Sequence, residues 1–354
     1  MQTCLHCETA MIAASGLSYG SDQSGLIWGY LFRPATQNET QAVLLSSAAA
    51  LAWLKNPQER ASGEFIWLHF NLSNTASEKW MSEHAHVAAE FNEALHDGSR
   101  STRIELADDT LIAVVNDVLH NFSLDSADTA TLWLSVTQHV VISARRTPLK
   151  SIERLRQAVE RGDAIRSSVE LLVHLLRDQA DVLVRIVRDA VARVDQVEDN
   201  LLAGRLNKQR TDLGALRRIL VRLQRLLAPE PAALFRLLQK PPGWVAELDT
   251  QELRQSTEEF SVVLSDMSSL QERIKLLQEE IAAQVNEENS RSLYVLTIVT
   301  VLALPINIIA GLLGMNVGGV PLADHTYGFW IVAGIVATFT VVAGWFVVRK
   351  QKQD

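Results

Sequence analysis

From Ser292 to Ala323 the chain carries no Asp, Glu, Lys or Arg, and after Asp324 a second uncharged run extends to Val348. A bilayer core takes roughly 20 apolar residues per helix, so each run is long enough to cross it. The remainder is not a membrane sequence. With 354 residues, 47% of them hydrophobic, and a net charge of -8, the chain suits a soluble region of one or two domains plus a small membrane portion. A polytopic transporter would be far more apolar throughout.

The charge is unevenly placed. Arg145 to Lys240 holds 20 basic and 12 acidic residues, a net +8, which leaves -16 on the rest. Such a segment could face nucleic acid or an anionic membrane. Acids are interspersed through it, however, which reads as a solvated, salt-bridged helical surface. No aromatic residue interleaves Arg205–Arg225, so bases have no stacking platform, and no nucleic-acid partner is expected. Cys4 and Cys7 bracket His6 and are the only cysteines. A second ligand pair at zinc-site spacing does not follow them, which leaves a loose terminal segment or weak auxiliary metal binding. The N-terminus has neither the basic start nor the apolar core of a secretory signal, so this end is expected in the cytoplasm.

Residues 1–150 alternate β-type runs with helical ones. Leu26–Phe32, Phe65–Phe70, Ile104–Val115 and Thr131–Ser143 read as strands, and Gln41–Leu54 and Ser77–Leu95 as helices. This is an α/β domain. Beyond it the period changes: Val169, Val173, Leu176, Ala180, Leu183, Val187, Ala190, Val194, Val197 and Leu201 recur at steps of four and three. That heptad seam demands a long helix packed on partner helices. The polar stretch Gly204–Asp212 breaks it, and Leu213, Leu216, Leu220, Leu223 and Leu227 resume it, so residues 151–249 are expected as an antiparallel hairpin. Pro229, Pro231 and Pro241-Pro242-Gly243 end the hairpin. A third helix begins near Thr250, with Phe260, Val263, Met267, Leu270, Ile274, Leu277 and Ile281 at the same spacing. No Pro or Gly interrupts Thr250 to Leu304, so a stalk over 250–291 runs into the first span, 292–313. Such a rod would be on the order of 95 Å long and calls for partner copies.

The first span has a polar side. At about 100° per residue, Thr297, Thr300 and Asn307 lie within one sector of about 80°, shared by Leu293, Leu304 and Gly311. Extended backward, the wheel brings Asn289, Asn286 and Glu279 onto the same face. Polar residues in a membrane helix tend to face protein or water. Several copies around an axis would make a pore with this lining, Leu293 and Leu304 forming apolar constrictions. The same hydroxyls and amides could instead glue neighbouring helices. Pro305 removes one backbone hydrogen bond in mid-span, and Gly311 and Gly314 allow close packing or a tight exit turn. The loop 314–327 leads to a second span, 328–348, and a tail, 349–354. Arg349, Lys350 and Lys352 follow that span whereas Gly314 to Gly328 has no Lys or Arg, so both termini are expected in the cytoplasm.

These residues carry a resemblance. Tyr294-Val295-Leu296-Thr297, Leu304-Pro305, Ile309-Ala310-Gly311 and then Gly314-Met315-Asn316 between two C-terminal spans resemble the CorA superfamily of divalent-cation channels and transporters. The segment Gly314-Met315-Asn316-Val317-Gly318-Gly319-Val320-Pro321-Leu322 is similar to its zinc transporter branch, called ZntB. The resemblance implies an α+β membrane protein: an α/β cytoplasmic domain, a long helical hairpin, a stalk helix and two C-terminal transmembrane helices, assembled as a funnel-shaped homopentamer. It implies that Asn316 rings the outer mouth and holds a hydrated cation, with Gly314 and Met315 shaping the turn. It sets Leu293, Leu296, Leu304 and Asn307 along the pore and Glu279 at the acidic stalk position. Magnesium-gating members place a carboxylate near the base of the first span, where this chain has Arg291. That departure favours the zinc branch and uptake coupled to protons, although the spans themselves contain no Asp, Glu or His.

The expectation is therefore a multi-pass protein of the cell inner membrane that moves zinc as cargo, with cadmium, nickel and cobalt as further candidates. No resident cofactor is expected. The alternatives are a magnesium, cobalt or nickel channel of the same superfamily, and a membrane-anchored coiled-coil scaffold. The polar stripe argues against a mere anchor. Asp324 and His325 in the outer loop could attract metal at the mouth or be solvated loop residues. His84 and His86, two apart, would share a side only on a strand. A nucleotide-binding glycine loop, Gly-x-Ser-x-Gly and His-Glu-x-x-His are all missing, so an enzyme is not expected.

Overall fold

The computed structural model describes residues 20–34, 41–98, 101–124, 129–203, 209–315 and 326–351. The chain divides into two compact units, the first running to Leu276 and the second from Leu277 onward.

The first unit is built on a seven-stranded sheet. Its strands are β1 (Leu26–Arg33), β2 (Gln41–Leu45), β3 (Phe65–Asn71), β4 (Arg103–Ala107), β5 (Thr110–Val118), β6 (Thr129–Val136) and β7 (Val140–Arg145), in the order β2-β1-β3-β7-β6-β5-β4. All neighbours are antiparallel except β3 and β7, which run parallel from Ile66↔Val140 to Asn71↔Arg145. Strand β3 is apolar on both sides because both faces are covered. Phe65 and Trp67 enter one core, and Ile66, Leu68 and Phe70 enter the other.

Three short helices cover the second core: α1 (Ser47–Lys55), α2 (Ala76–His84) and α3 (Ala89–His96), contributing Ala50, Trp80, Met81, Phe91 and Leu95. The first core lies under α4 (Lys150–Arg161), α5 (Ser168–Leu202) and α7 (Pro229–Gln239), with Leu253 from the long helix α8 (Glu247–Leu313). Helix α6 (Gln209–Leu227) and α9 (Gly328–Gln351) complete the set.

The heptad seam of α5 is an inward face: every seam position named above is buried except half-buried Val187. Leu213, Leu216, Leu220, Leu223 and Leu227 of α6 and Phe260, Val263, Met267, Leu270 and Ile274 of α8 are buried as well. Polar clasps fix the register. Arg273 of α8 donates from Nε to Glu198 at 2.9 Å and from Nη2 to Asp195 at 2.6 Å, both on α5. Gln271 donates to Gln224 of α6 at 2.8 Å.

Several local expectations are corrected. Gln41–Leu54 is an edge strand followed by a helix; the Ser46 hydroxyl accepts from Ala49 N–H at 3.3 Å and starts α1 there. Ile104–Val115 is two strands, because Asp108 and Asp109 both take positive φ (44° and 61°), the backbone of a two-residue hairpin turn. Thr131–Ser143 is likewise the β6–β7 hairpin. Ser77–Leu95 is broken where His86 takes φ 48°. Pro229 opens helix α7 at its first turn, where a missing N–H costs nothing, and so does more than end α6.

Candidate metal-ion pathway

The second unit contains the end of α8 and all of α9. Both helices are long and apolar enough to cross a membrane. In α9 the apolar window Gly328–Trp345 has 18 residues, about 27 Å of helix against a hydrocarbon core of about 30 Å. Its ends carry interfacial chemistry. Phe329 and Trp330 meet edge-on at 5.6 Å at one end, and Arg349 lies over the Trp345 ring at 5.1 Å at the other.

Helix α8 presents two tracks in this unit. Glu279, Ala283, Asn286, Ser290, Leu293, Thr297, Thr300, Leu304, Asn307, Gly311 and Gly314 recur at unbroken steps of four and three, and all eleven are exposed. Asn289 and Leu296 flank this track and are exposed too. The same spacing runs back in the sequence through Leu276, Glu272, Ser269, Ser265 and Val262, each of them exposed. From Leu293 on, the partly covered positions are Ile298, Leu302, Pro305, Ile306, Ile309 and Leu313, on the other side of the helix. On α9 the partly covered positions Val336, Thr340 and Ala343 also keep helical spacing. The polar track therefore lies on surface of α8 that its own chain leaves open, as do Val295, Val299, Val301 and Ile308.

The open track spans about 50 Å from Glu279 to Gly314. It mixes wettable groups with large apolar ones: Leu293 is 64% exposed, Leu296 61% and Leu304 58%. Thr297 donates its hydroxyl proton to Leu293 O, and Thr300 donates to Leu296 O, both at 2.8 Å. At the end of the helix, Gly314 N–H donates to Ala310 O at 2.9 Å. A β-carbon on Gly314 would lie 3.0 Å from that same oxygen, whereas one on Gly311 would meet nothing within 4 Å. Glycine at 314 thus avoids a tight contact in the exit turn. Met315 is half exposed. Asn316, Asp324 and His325 lie outside the described residues, as do Cys4, His6 and Cys7.

Among the described residues, no group of three His, Cys, Asp or Glu side chains is arranged to hold a metal ion. His84 packs edge-on against Trp80 at 5.4 Å, and His86 occupies the turn between α2 and α3. The track offers single oxygens spaced along a helix and no clustered ligand set.

The first unit holds a buried acidic pair that the sequence did not reveal. Glu230, in the first turn of α7, accepts from Asn116 N–H at 2.9 Å and from Gln179 Nε2 at 3.1 Å. Asp117 accepts from Val118 N–H at 2.7 Å and from Ser151 N–H and Oγ, both at 2.9 Å, which caps the start of α4. Burial pushes Asp117 up to about 6 and Glu230 up to about 8, the charge of Asp117 adding to the rise at Glu230. These groups tie α4, α5 and α7 to strand β5.

Comparison with known proteins agrees with this arrangement. The family model described as CorA-like Mg2+ transporter protein matches residues 62–350. The divalent cation transporter CmaX of Pseudomonas aeruginosa is 30% identical over 338 residues, covering 93% of this chain and 97% of that one. The solved structure of full-length CmaX superimposes with a TM-score of 0.75 at 26% identity, over 94% of this chain and 99% of that one. The zinc transport protein ZntB of Pectobacterium carotovorum is 22% identical over 285 residues, 80% of this chain and 87% of that one. The CorA magnesium transporter of Methanocaldococcus jannaschii shares the fold, with a TM-score of 0.72 at 18% identity over 90% and 97% of the two chains.

Proposed function

The chain belongs to the CorA-like Mg2+ transporter family, and from that membership we propose a divalent-cation transporter whose principal cargo is zinc. The coarse activity follows from the family: divalent cations cross the membrane on a protein with two C-terminal apolar helices. The observation that carries the route is the open track of α8. A helix that spans lipid with hydroxyls and amides uncovered is costly unless water or other copies cover them. A homopentamer with α8 around its axis meets that requirement and encloses a path from Glu279 to the Gly314-Met315-Asn316 end.

Three features favour zinc. The segment after Gly314 is similar to the ZntB branch, relatives named for zinc transport match 80% of the chain, and Arg291 stands where magnesium-gated members carry a carboxylate. The name of CmaX specifies no metal, which favours a wider range including cadmium, nickel and cobalt. The magnesium, cobalt or nickel channel is the second reading, and the family model's description supports it. Asn316 is assigned the outer mouth, where its carbonyl reads hydration and charge rather than zinc's preference for nitrogen and sulfur. Zinc is cargo in this reading, with protons as the coupled partner. The first unit and both termini are assigned to the cytoplasmic side of the inner membrane.

Flux into liposomes, zinc against magnesium and with or without a pH gradient, tests this. Zinc entry should exceed magnesium entry, rise with an inward proton gradient, and fall in Asn316→Ala. Equal entry of both metals would overturn the zinc preference, and entry unchanged by the gradient would overturn proton coupling, while either result keeps cation transport. A protein that runs as a monomer in mild detergent would overturn the shared pore.

A further inference from the structure

The parallel pair β3 and β7 ends at a cleft of about 500 Å³, lined among the described residues by Asn71, His120, Asn121, Arg145, Arg146 and Thr147 with two apolar walls. Crevices at the carboxyl ends of parallel strands are where open α/β sheets bind small ligands, and this volume lies in the range of ligand pockets. Nothing in the proposed transport path uses it.

Among the described lining residues the charge has one sign. No carboxylate occurs among the described lining residues, whereas two arginines do. Arg145 is buried, and its Nε donates to Nε2 of His69 at 3.0 Å. His69 is wholly buried, stacked on Trp28 at 4.1 Å, and its Nδ1 lies 2.7 Å from the Ser143 hydroxyl. Because Nε2 accepts from Arg145, the ring proton sits on Nδ1 and points at Ser143. Burial first, then the neighbouring charge of Arg145, holds this imidazole well below its usual range, so it is neutral. It holds the Arg145 Nε–H as a neutral acceptor.

Just past the end of the strand, Arg146 is exposed and forms no ion pair within 4.0 Å among the described residues, and no Asp or Glu lies between Asp128 and Glu153 in the chain. Asn71 accepts from Ser73 N–H at 3.0 Å through Oδ1, which leaves its NH2 group to donate. Two arginines, an asparagine and a threonine line this one cleft, and donors of these types match the oxygens of phosphate.

We propose that the cleft between the ends of β3 and β7 binds a phosphate-bearing anion of the cytoplasm, held by Arg145, Arg146 and Asn71. Sodium phosphate, sodium pyrophosphate and ATP present the same oxygens with increasing size, so the three probes separate a bare phosphate site from one that also seats a nucleoside. Titration calorimetry on the full chain in detergent, after chelation and removal of divalent cations, keeps metal complexation out of the signal.

At least one probe should bind saturably, one per chain. Arg146→Glu should weaken it by about tenfold or more, the loss of a charge-assisted contact plus a repulsive one. Arg188→Glu, a charge reversal at an exposed position of α5, should leave it unchanged. An unaltered melting temperature of Arg146→Glu in phosphate-free buffer separates lost binding from lost folding. Absence of saturable binding by all three probes up to about 1 mM overturns the site. So does equal weakening by Arg146→Glu and Arg188→Glu, which marks general charge attraction.

Discussion

Glu230, opening helix α7, and Gln179, in the first half of α5, meet at 3.1 Å in the interior of the first unit. Asn116 on the sheet joins them, its N–H donating to the carboxylate and its carbonyl accepting from Gln179 at 2.7 Å. Asp117 adds a second buried carboxyl next to it in sequence. Three helices are thereby tied to one strand end through groups whose protonation matters.

That arrangement makes the first unit sensitive to alkaline pH. Burial pushes Glu230 from an ordinary 4.5 up to about 8, and Asp117 from 3.8 up to about 6. Both bind protons more tightly folded than unfolded, so their contribution is fully present below the unfolded values. It is lost as pH rises through the folded ones. The melting temperature of the full chain should fall from about pH 5 to about pH 8, and Glu230→Gln should flatten the upper part of that slope. An unchanged slope in Glu230→Gln would assign the dependence to other groups.

Gly25 has φ 83°, and a β-carbon there would lie 1.9 Å from the Ser77 hydroxyl, which donates to Asn71 O at 2.6 Å. Gly25→Ala combines backbone strain with a clash against a side chain that cannot move without losing its hydrogen bond. A loss of about 2–5 kcal/mol is expected. Chemical denaturation measures it; Ser77→Ala should relieve part of the clash, and the double variant should cost less than the sum.

The open track can be read by thiol labelling. Cys4 and Cys7 are the only cysteines, so Cys4→Ser with Cys7→Ser gives a blank background. Thr300→Cys and Asn307→Cys should react with a membrane-impermeant thiol reagent, and Leu302→Cys and Ile309→Cys should resist it. Labelling of the second pair and protection of the first would place water on the wrong side of α8.

Arg273 bridges Glu198 and Asp195 across two helices but is itself partly exposed. Solvent screening limits such a pair, so Arg273→Met should cost no more than about 1 kcal/mol, with a smaller deficit in high salt. Melting curves at low and high ionic strength provide the check.

Much of this architecture is written in local periodicity. The α5 seam from Val169 to Leu201 and the leucines of α6 reappear as buried faces because a 3.6-residue helix turns regular spacing into a stripe. The polar sector of the first span was visible for the same reason. What escaped depends on backbone signs and distant partners. Asp108-Asp109 bends within an apolar run that reads as one strand. Glu230 looks like a solvated acid between two prolines until Asn116, more than a hundred residues earlier, is folded against it. The β3–β7 cleft joins Asn71 to Arg145 by parallel pairing that no local pattern encodes.

The hydroxyls of Thr297 and Thr300 give their protons to the helix's own carbonyls. Each oxygen is left presenting only lone pairs outward. In the proposed pore these two hydroxyls present acceptor oxygens to a cation's water shell, beside the Asn307 amide, which offers an acceptor and donors together. Because the two spans contain no carboxylate, amine or imidazole, that polarity is indifferent to pH. In the proposed pore, therefore, the walls of the two spans supply no group that takes up a proton near neutral pH.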